Sequence, residues 1–195
     1  MLDWLREVKE DLRSAKIVKL RLPDGVEYDY IVNSLSTGFP SISSKMLWGC
    51  TFEIARTIDL EGVDKILTPE AMGIHLAAAL SMVTGIPMNV IRKRKYGLPD
   101  EIEVVKRTGY EETKIYINEV KPEETIVLVD SIIATGGTFA SIVKALKQHG
   151  VIVQDLVAVI ERPEFNGVSF VKRETGHVVK TLIKVTLKDG KVTIL

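Results

Sequence analysis

The chain has 195 residues, enough for one buried core and too few for a catalytic domain joined to a sizeable regulatory one, so a single domain over residues 1–195 is expected. Lys plus Arg and Asp plus Glu both number 26, so the field of the whole protein does not draw in nucleic acid and any cationic function must be local. The one cysteine, Cys50, excludes an internal disulfide, and no uncharged run approaches the length of a bilayer span, so a soluble cytoplasmic protein with no membrane partner is expected.

Residues 1–15 mix both signs of charge with apolar residues at helical spacing and read as an amphipathic helix, not a signal or transit peptide. Residues 16–45 are less regular and, with 164–195, are expected to build a small hood over a cleft. Lys65-Ile66-Leu67-Thr68 is a short apolar run that reads as a strand. It leads into Glu70-Ala71-Met72-Gly73 and then into Ile74 to Val83, apolar almost all round, which predicts a buried helix stopped by a left-handed Gly85 before Pro87. Met88-Asn89-Val90-Ile91 is a second strand, followed by the basic run Arg92-Lys93-Arg94-Lys95. Such a run is ordinarily a solvated face, but Arg92 and Lys93 directly follow a buried strand, where a guanidinium and an ammonium would meet phosphate oxygens. Residues 94–113 are polar, with Gly97, Pro99 and Gly109, and Lys114 to Asn118 alternate like a strand, so a mobile flap with a short ribbon is expected.

Ile126 to Val129 is a third strand, ending on the carboxylate of Asp130. The chain then turns through Ser131 and Ala134-Thr135-Gly136-Gly137-Thr138 into a helix. Phe139, Ile142, Val143 and Leu146 form its core stripe, Gly150 ends it, and Thr135 or Thr138 is expected to cap it. Backbone N–H groups in such a turn converge on one point and the helix dipole adds to the field, which makes a phosphate cradle. The alternative is a connection that binds nothing. A nucleotide P-loop is excluded because no Gly-Lys-Ser/Thr follows, and the dinucleotide Gly-x-Gly-x-x-Gly spacing is absent. Asp130 suits a ribose hydroxyl pair or a hydrated magnesium ion. With Leu156 to Ile160 as a fourth strand, the pattern is α/β, a parallel sheet flanked by helices, whose ligands gather beyond the carboxyl ends of the strands, where Glu70, Arg92 and Asp130 fall.

Asp130 to Thr138 resembles the 5-phosphoribosyl 1-pyrophosphate (PRPP) signature of type I phosphoribosyltransferases, and Ala134 to Thr138 resembles the version found in adenine phosphoribosyltransferases. Glu70 to Gly73, Ile91 to Pro99 and Thr108-Gly109-Tyr110 are similar to archaeal hypoxanthine/guanine phosphoribosyltransferases in order and spacing, and the likeness runs to the end of the chain. The resemblance implies the Rossmann-like type I fold and a purine salvage enzyme that transfers phosphoribosyl from PRPP to adenine or hypoxanthine/guanine. It also implies magnesium as cofactor and a homodimer. It places the 5-phosphate on Ala134, Thr135, Gly136, Gly137 and Thr138, and the ribose hydroxyls and, through water, the metal on Asp130. Pyrophosphate falls to Glu70, Ala71, Met72, Gly73, Arg92 and Lys93, with Asp130, Arg92 and Lys93 catalytic and Lys95 and Tyr110 in the flap. Ser131 stands where the family has a second acid, so one ribose hydroxyl is expected to lose a charge-assisted partner.

No general acid or base is assigned, since Ala134 and Gly109 occupy the places of the acids that animal relatives use, leaving nearby Glu111 or Glu112, or a reaction of the base with no dedicated group. Base selectivity is expected from Tyr30, Asn33 and the stretch near Glu161. A regulatory protein that binds PRPP or a purine without turnover is the alternative from a different class.

Overall fold

The computed structural model describes residues 3–21, 25, 27–107 and 112–195. α1 (Arg6–Arg13) buries Val8 and Leu12, one turn apart, and its half-buried Asp11 accepts from the Ser34 N–H at 2.9 Å and hydroxyl at 2.8 Å. β1 (Lys16–Arg21) and β2 (Glu27–Val32) make an antiparallel hairpin that pairs with no other strand among the described residues. Two helices follow, α2 (Ser34–Thr37) and α3 (Ser44–Thr57). Each is opened by a side-chain cap, Asn33 accepting from the Ser36 N–H and Ser43 from the Met46 N–H.

The body is a six-stranded sheet in the order β10 (Lys191–Ile194), β9 (Val179–Lys188), β8 (Ile152–Glu161), β7 (Thr125–Ile133), β3 (Lys65–Pro69), β4 (Met88–Ile91). All neighbours are parallel except β10 against β9. The pleat divides the core. Ile66, Val127 and Val129 pack with Val8, Leu12, Ile54, Leu76 and Leu80. Leu67, Ile126 and Leu128 pack with Phe139, Ile142, Val143 and Leu146 of α5 (Gly137–Gln148), the stripe read from the sequence.

Four expectations change. Residues 164–195 do not join the hood: α6 (Gly167–Thr175) lies beside the sheet, and β9 and β10 extend it, with Val179, Ile183, Val185 and Val192 buried. Within the interval expected as a flap, β5 (Ile102–Arg107) pairs with β6 (Glu112–Ile117), and Ile102, Val104, Ile115 and Ile117 are buried in the core, so the ribbon is anchored by its apolar face. α4 (Ile74–Thr84) ends at a left-handed Gly85 as read, but Met82 is 85% exposed, so this helix is not buried all round. β7 continues past Asp130 to Ile133, because Asp130, Ile132 and Ile133 still pair with Ala158, Ile160 and Glu161.

Candidate functional site

Three connections meet at the carboxyl ends of β7, β3 and β4. The turn Ala134 to Gly136 follows β7, Glu70 to Gly73 follows β3, and Arg92 and Lys93 follow β4. Gly136 is left-handed, with φ 78°, and α5 begins at the next residue with no side-chain cap, so neither Thr135 nor Thr138 takes the expected role. The first intrahelical bond runs from the Ala140 N–H to the Gly136 carbonyl at 3.0 Å. The N–H groups of Gly137, Thr138 and Phe139 precede it and have no intrahelical partner, which is the arrangement that holds an anion.

The turn keeps its shape by close packing. A β-carbon on Gly136 would come within 2.5 Å of the Gly167 carbonyl oxygen, and one on Gly167 within 2.0 Å of the Ala134 carbonyl oxygen. Position 167 escaped the sequence reading; an Asn-Gly pair before a helix was its only signal.

Asp130 lies near the end of β7, four residues before Ala134, half-buried, with Oδ1 accepting the Ser131 N–H at 2.7 Å. Ser131 lies on the other side of the pleat, 1% exposed, and its Oγ has no hydrogen-bond partner among the described residues. Buried in this way, the Ser131 hydroxyl offers no exposed group to a ligand.

Glu70 joins the second and third connections. Its Oε1 accepts the Lys93 N–H at 2.7 Å and its Oε2 lies 3.0 Å from Arg92 Nε. Arg92 Nε is buried and makes no well-aligned hydrogen bond, so that contact is an ion pair held by charge. Arg92 is further fixed by backbone bonds to Tyr116 in both directions, 2.9 and 2.6 Å. Glu70 thus orients the Arg92 guanidinium and ties down the Lys93 main chain. Met72 turns the other way, its Cε 3.4 Å from where a β-carbon on Gly38 would stand, which brings the α2 turn over the cleft. The Glu70–Ala71 peptide is cis.

Lys95 leans on β5, 4.0 Å from the Glu103 carboxylate and 63% exposed. Tyr110 and Glu111 lie outside the described residues, as does the side chain of Glu112. Asn33 and Glu161 are occupied elsewhere, Asn33 by its cap and Glu161 by Thr181 Oγ1 at 2.6 Å and Lys184 at 3.4 Å. His75 opens α4, where burial lowers its pKa, and its Nε2 has no partner among the described residues. Burial pushes the Cys50 thiol up to about 12, which suits a packed side chain and not a nucleophile. A cavity of about 750 Å³ flanks the outer edge of β4 between Asn89, Arg92, Tyr96, Leu98 and Asn118; neither Asp130 nor the turn lines it.

A family model described as "Phosphoribosyl transferase domain" matches residues 45–169. Proteins named "Hypoxanthine/guanine phosphoribosyltransferase" are similar over nearly the whole length. The one from Methanocaldococcus infernus is 42% identical, covering 96% of this chain and 99% of the relative. The one from Methanobrevibacter ruminantium is 44% identical, covering 96% of each. Among solved structures, adenine phosphoribosyltransferase from Thermoanaerobacter pseudethanolicus superposes with a TM-score of 0.70 at 23% identity, covering 92% of this chain and 99% of that one, a likeness of fold.

Proposed function

The chain belongs to the phosphoribosyl transferase family, and from that premise we propose that it is a purine phosphoribosyltransferase of nucleotide salvage, taking hypoxanthine and guanine. The observation that carries the reading is the uncapped amino end of α5 after the strand that bears Asp130, with Arg92 and Lys93 tethered through Glu70 at the same edge of the sheet. The choice of 6-oxopurines rests on the names of the full-length relatives.

In this reading the N–H groups of Gly137 to Phe139 hold the 5-phosphate of PRPP and Asp130 accepts from the ribose hydroxyls. The bond from the anomeric carbon to pyrophosphate breaks as a purine nitrogen bonds to that carbon, the imidazole proton of the purine passes to water, and negative charge gathers on the leaving group. Arg92, oriented by Glu70, and Lys93 offset that charge where it develops. Magnesium fits the donor set, because this ion takes one or two carboxylates and completes its octahedron with water and substrate oxygens. Asp130 would hold the ion through water. When bound, the ion supplies charge to the departing pyrophosphate.

No described helix is long and apolar enough to cross a membrane. A homodimer belongs to the same proposal. Trp4, Trp48, Phe52 and Met82 are 40%, 51%, 40% and 85% exposed on one face, with Trp48 stacked on Phe52 at 5.5 Å, the aromatic composition of an interface core.

The test is to incubate the protein with PRPP, magnesium and each of hypoxanthine, guanine and adenine, and to measure pyrophosphate and nucleotide. Equimolar pyrophosphate and nucleoside monophosphate with the two oxopurines is expected. PRPP binding without turnover of any base would instead identify a sensor.

A further inference from the structure

We propose that Arg162 is a positioning residue for the purine: it latches the β1–β2 hairpin to the end of β8 next to the phosphate turn, fixing the wall that carries Tyr28 and Tyr30. The proposal rests on the purine reading above.

A two-stranded hairpin is marginal by itself in water. This one is poorly anchored by packing, since Ile31 is buried while Val18 and Leu20 remain 39% and 40% exposed. Among the described residues, two side-chain hydrogen bonds reach its strands from outside the hairpin: Asn33 Nδ2, in the adjoining cap of α2, to the Ile31 carbonyl at 3.3 Å, and Arg162 Nη1, from the end of β8, to the Asp29 carbonyl at 2.9 Å. Asp29 lies between the two tyrosines, whose rings meet edge to face with centroids 6.0 Å apart.

Arg162 is 7% exposed, and a buried guanidinium is costly unless its charge is met. Glu164 Oε1 meets it, accepting from Nε at 3.0 Å and Nη2 at 2.8 Å, and the Phe165 ring lies 4.7 Å below it. The planar fork leaves Nη1 aimed at a single backbone carbonyl, a geometry that an ammonium on a flexible stem does not reproduce.

The main chain of the same residue reaches the other half of the site. Its N–H donates to the Ile133 carbonyl at 3.0 Å, just before the turn, and five residues later Gly167 packs on Ala134 and Gly136. One residue therefore spaces the hairpin from the sugar-phosphate position. An attacking nitrogen must be held within a fraction of an ångström of its carbon, so loosening this latch harms base placement and spares phosphate binding.

The test uses Arg162→Lys and Arg162→Met in the full chain, with KM for hypoxanthine, Kd for PRPP, and amide hydrogen exchange. For both variants a rise of about tenfold or more in purine KM is expected, with PRPP affinity within about twofold. Exchange in β2 should quicken while α5 stays protected. Glu164→Gln keeps the bond to Asp29 and should raise purine KM less than Arg162→Met. A folded Arg162→Met with unchanged purine KM, or with equal loss for both substrates, would overturn the latch. Should the unsubstituted protein turn over no purine, the functional reading fails by itself; unchanged β2 exchange would then count separately against the latch, and quickened exchange confined to β2 would support it.

Discussion

Gly73 stands against Asp130: a β-carbon at position 73 would lie 3.3 Å from the aspartate Oδ1, 3.0 Å from the Val129 carbonyl oxygen and 2.0 Å from Thr68 Oγ1. The connection after β3 and the end of β7 are thus in direct contact, and a side chain at 73 must displace one of them. Gly73→Ala should cost about 1–3 kcal/mol of stability through overpacking and raise the KM for PRPP. Thermal unfolding with PRPP titration checks both.

Asp130→Asn keeps the shape of the side chain and removes its charge. Losing a hydrogen bond to a charged group costs about 1.5–3 kcal/mol, so PRPP should bind roughly tenfold or more weakly. Calorimetry with magnesium present reads this directly.

Gly136 and Gly85 have similar left-handed backbones, φ 78° and 72°, but only Gly136 faces a neighbour, the Gly167 carbonyl oxygen at 2.5 Å from its would-be β-carbon. Alanine at either site bears the left-handed strain of about 1–2 kcal/mol. Gly136→Ala should lose more, together with ribose 5-phosphate binding, while Gly85→Ala keeps that binding. Chemical denaturation and ligand titration of the pair separate strain from contact.

Glu70→Gln removes the charge that orients Arg92. Turnover should fall, on the order of tenfold, with a smaller change in PRPP affinity, because a cation placed for the departing pyrophosphate acts mainly in the transition state. Steady-state kinetics beside a PRPP titration show the split.

His75 carries a pH dependence of known sign. Burial lowers its pKa in the fold, so near and below the ordinary value of about 6.5 the unfolded chain binds more protons. Its contribution therefore makes stability fall as pH drops through that value. His75→Gln should flatten the decline in melting temperature between about pH 7.5 and 5.5.

The aromatic face of α3 and α4 gives a further outcome. Met82→Glu places a charge in the groove that Met82 shares with Trp48 and Val83, and sedimentation should show the proposed homodimer dissociating.

Much of the sheet edge that carries the candidate site was legible because its strands are apolar runs with abrupt ends: β3, β4 and β7 were read with the connections that follow them. The α5 stripe was legible for the same periodic reason. Other features were hidden by polar residues in ordered places. β9 carries Lys180, Lys184 and Lys188 among its buried valines and isoleucine, so 164–195 read as irregular. In α3, exposed Trp48 and Phe52 mask the buried line of Met46, Cys50 and Ile54. At Glu70 the sequence suggested a pyrophosphate ligand, but only geometry could show its carboxylate turned to Arg92 and Lys93.

The most direct measurement of the central claim is titration of nitrogen-15-labelled protein with ribose 5-phosphate, followed by amide chemical shifts. The account predicts that Gly137, Thr138 and Phe139 shift most and saturate together, with Asp130 close behind. Saturating shifts confined to the cavity beside β4, at Asn89 and Asn118, with the turn unmoved, would contradict it.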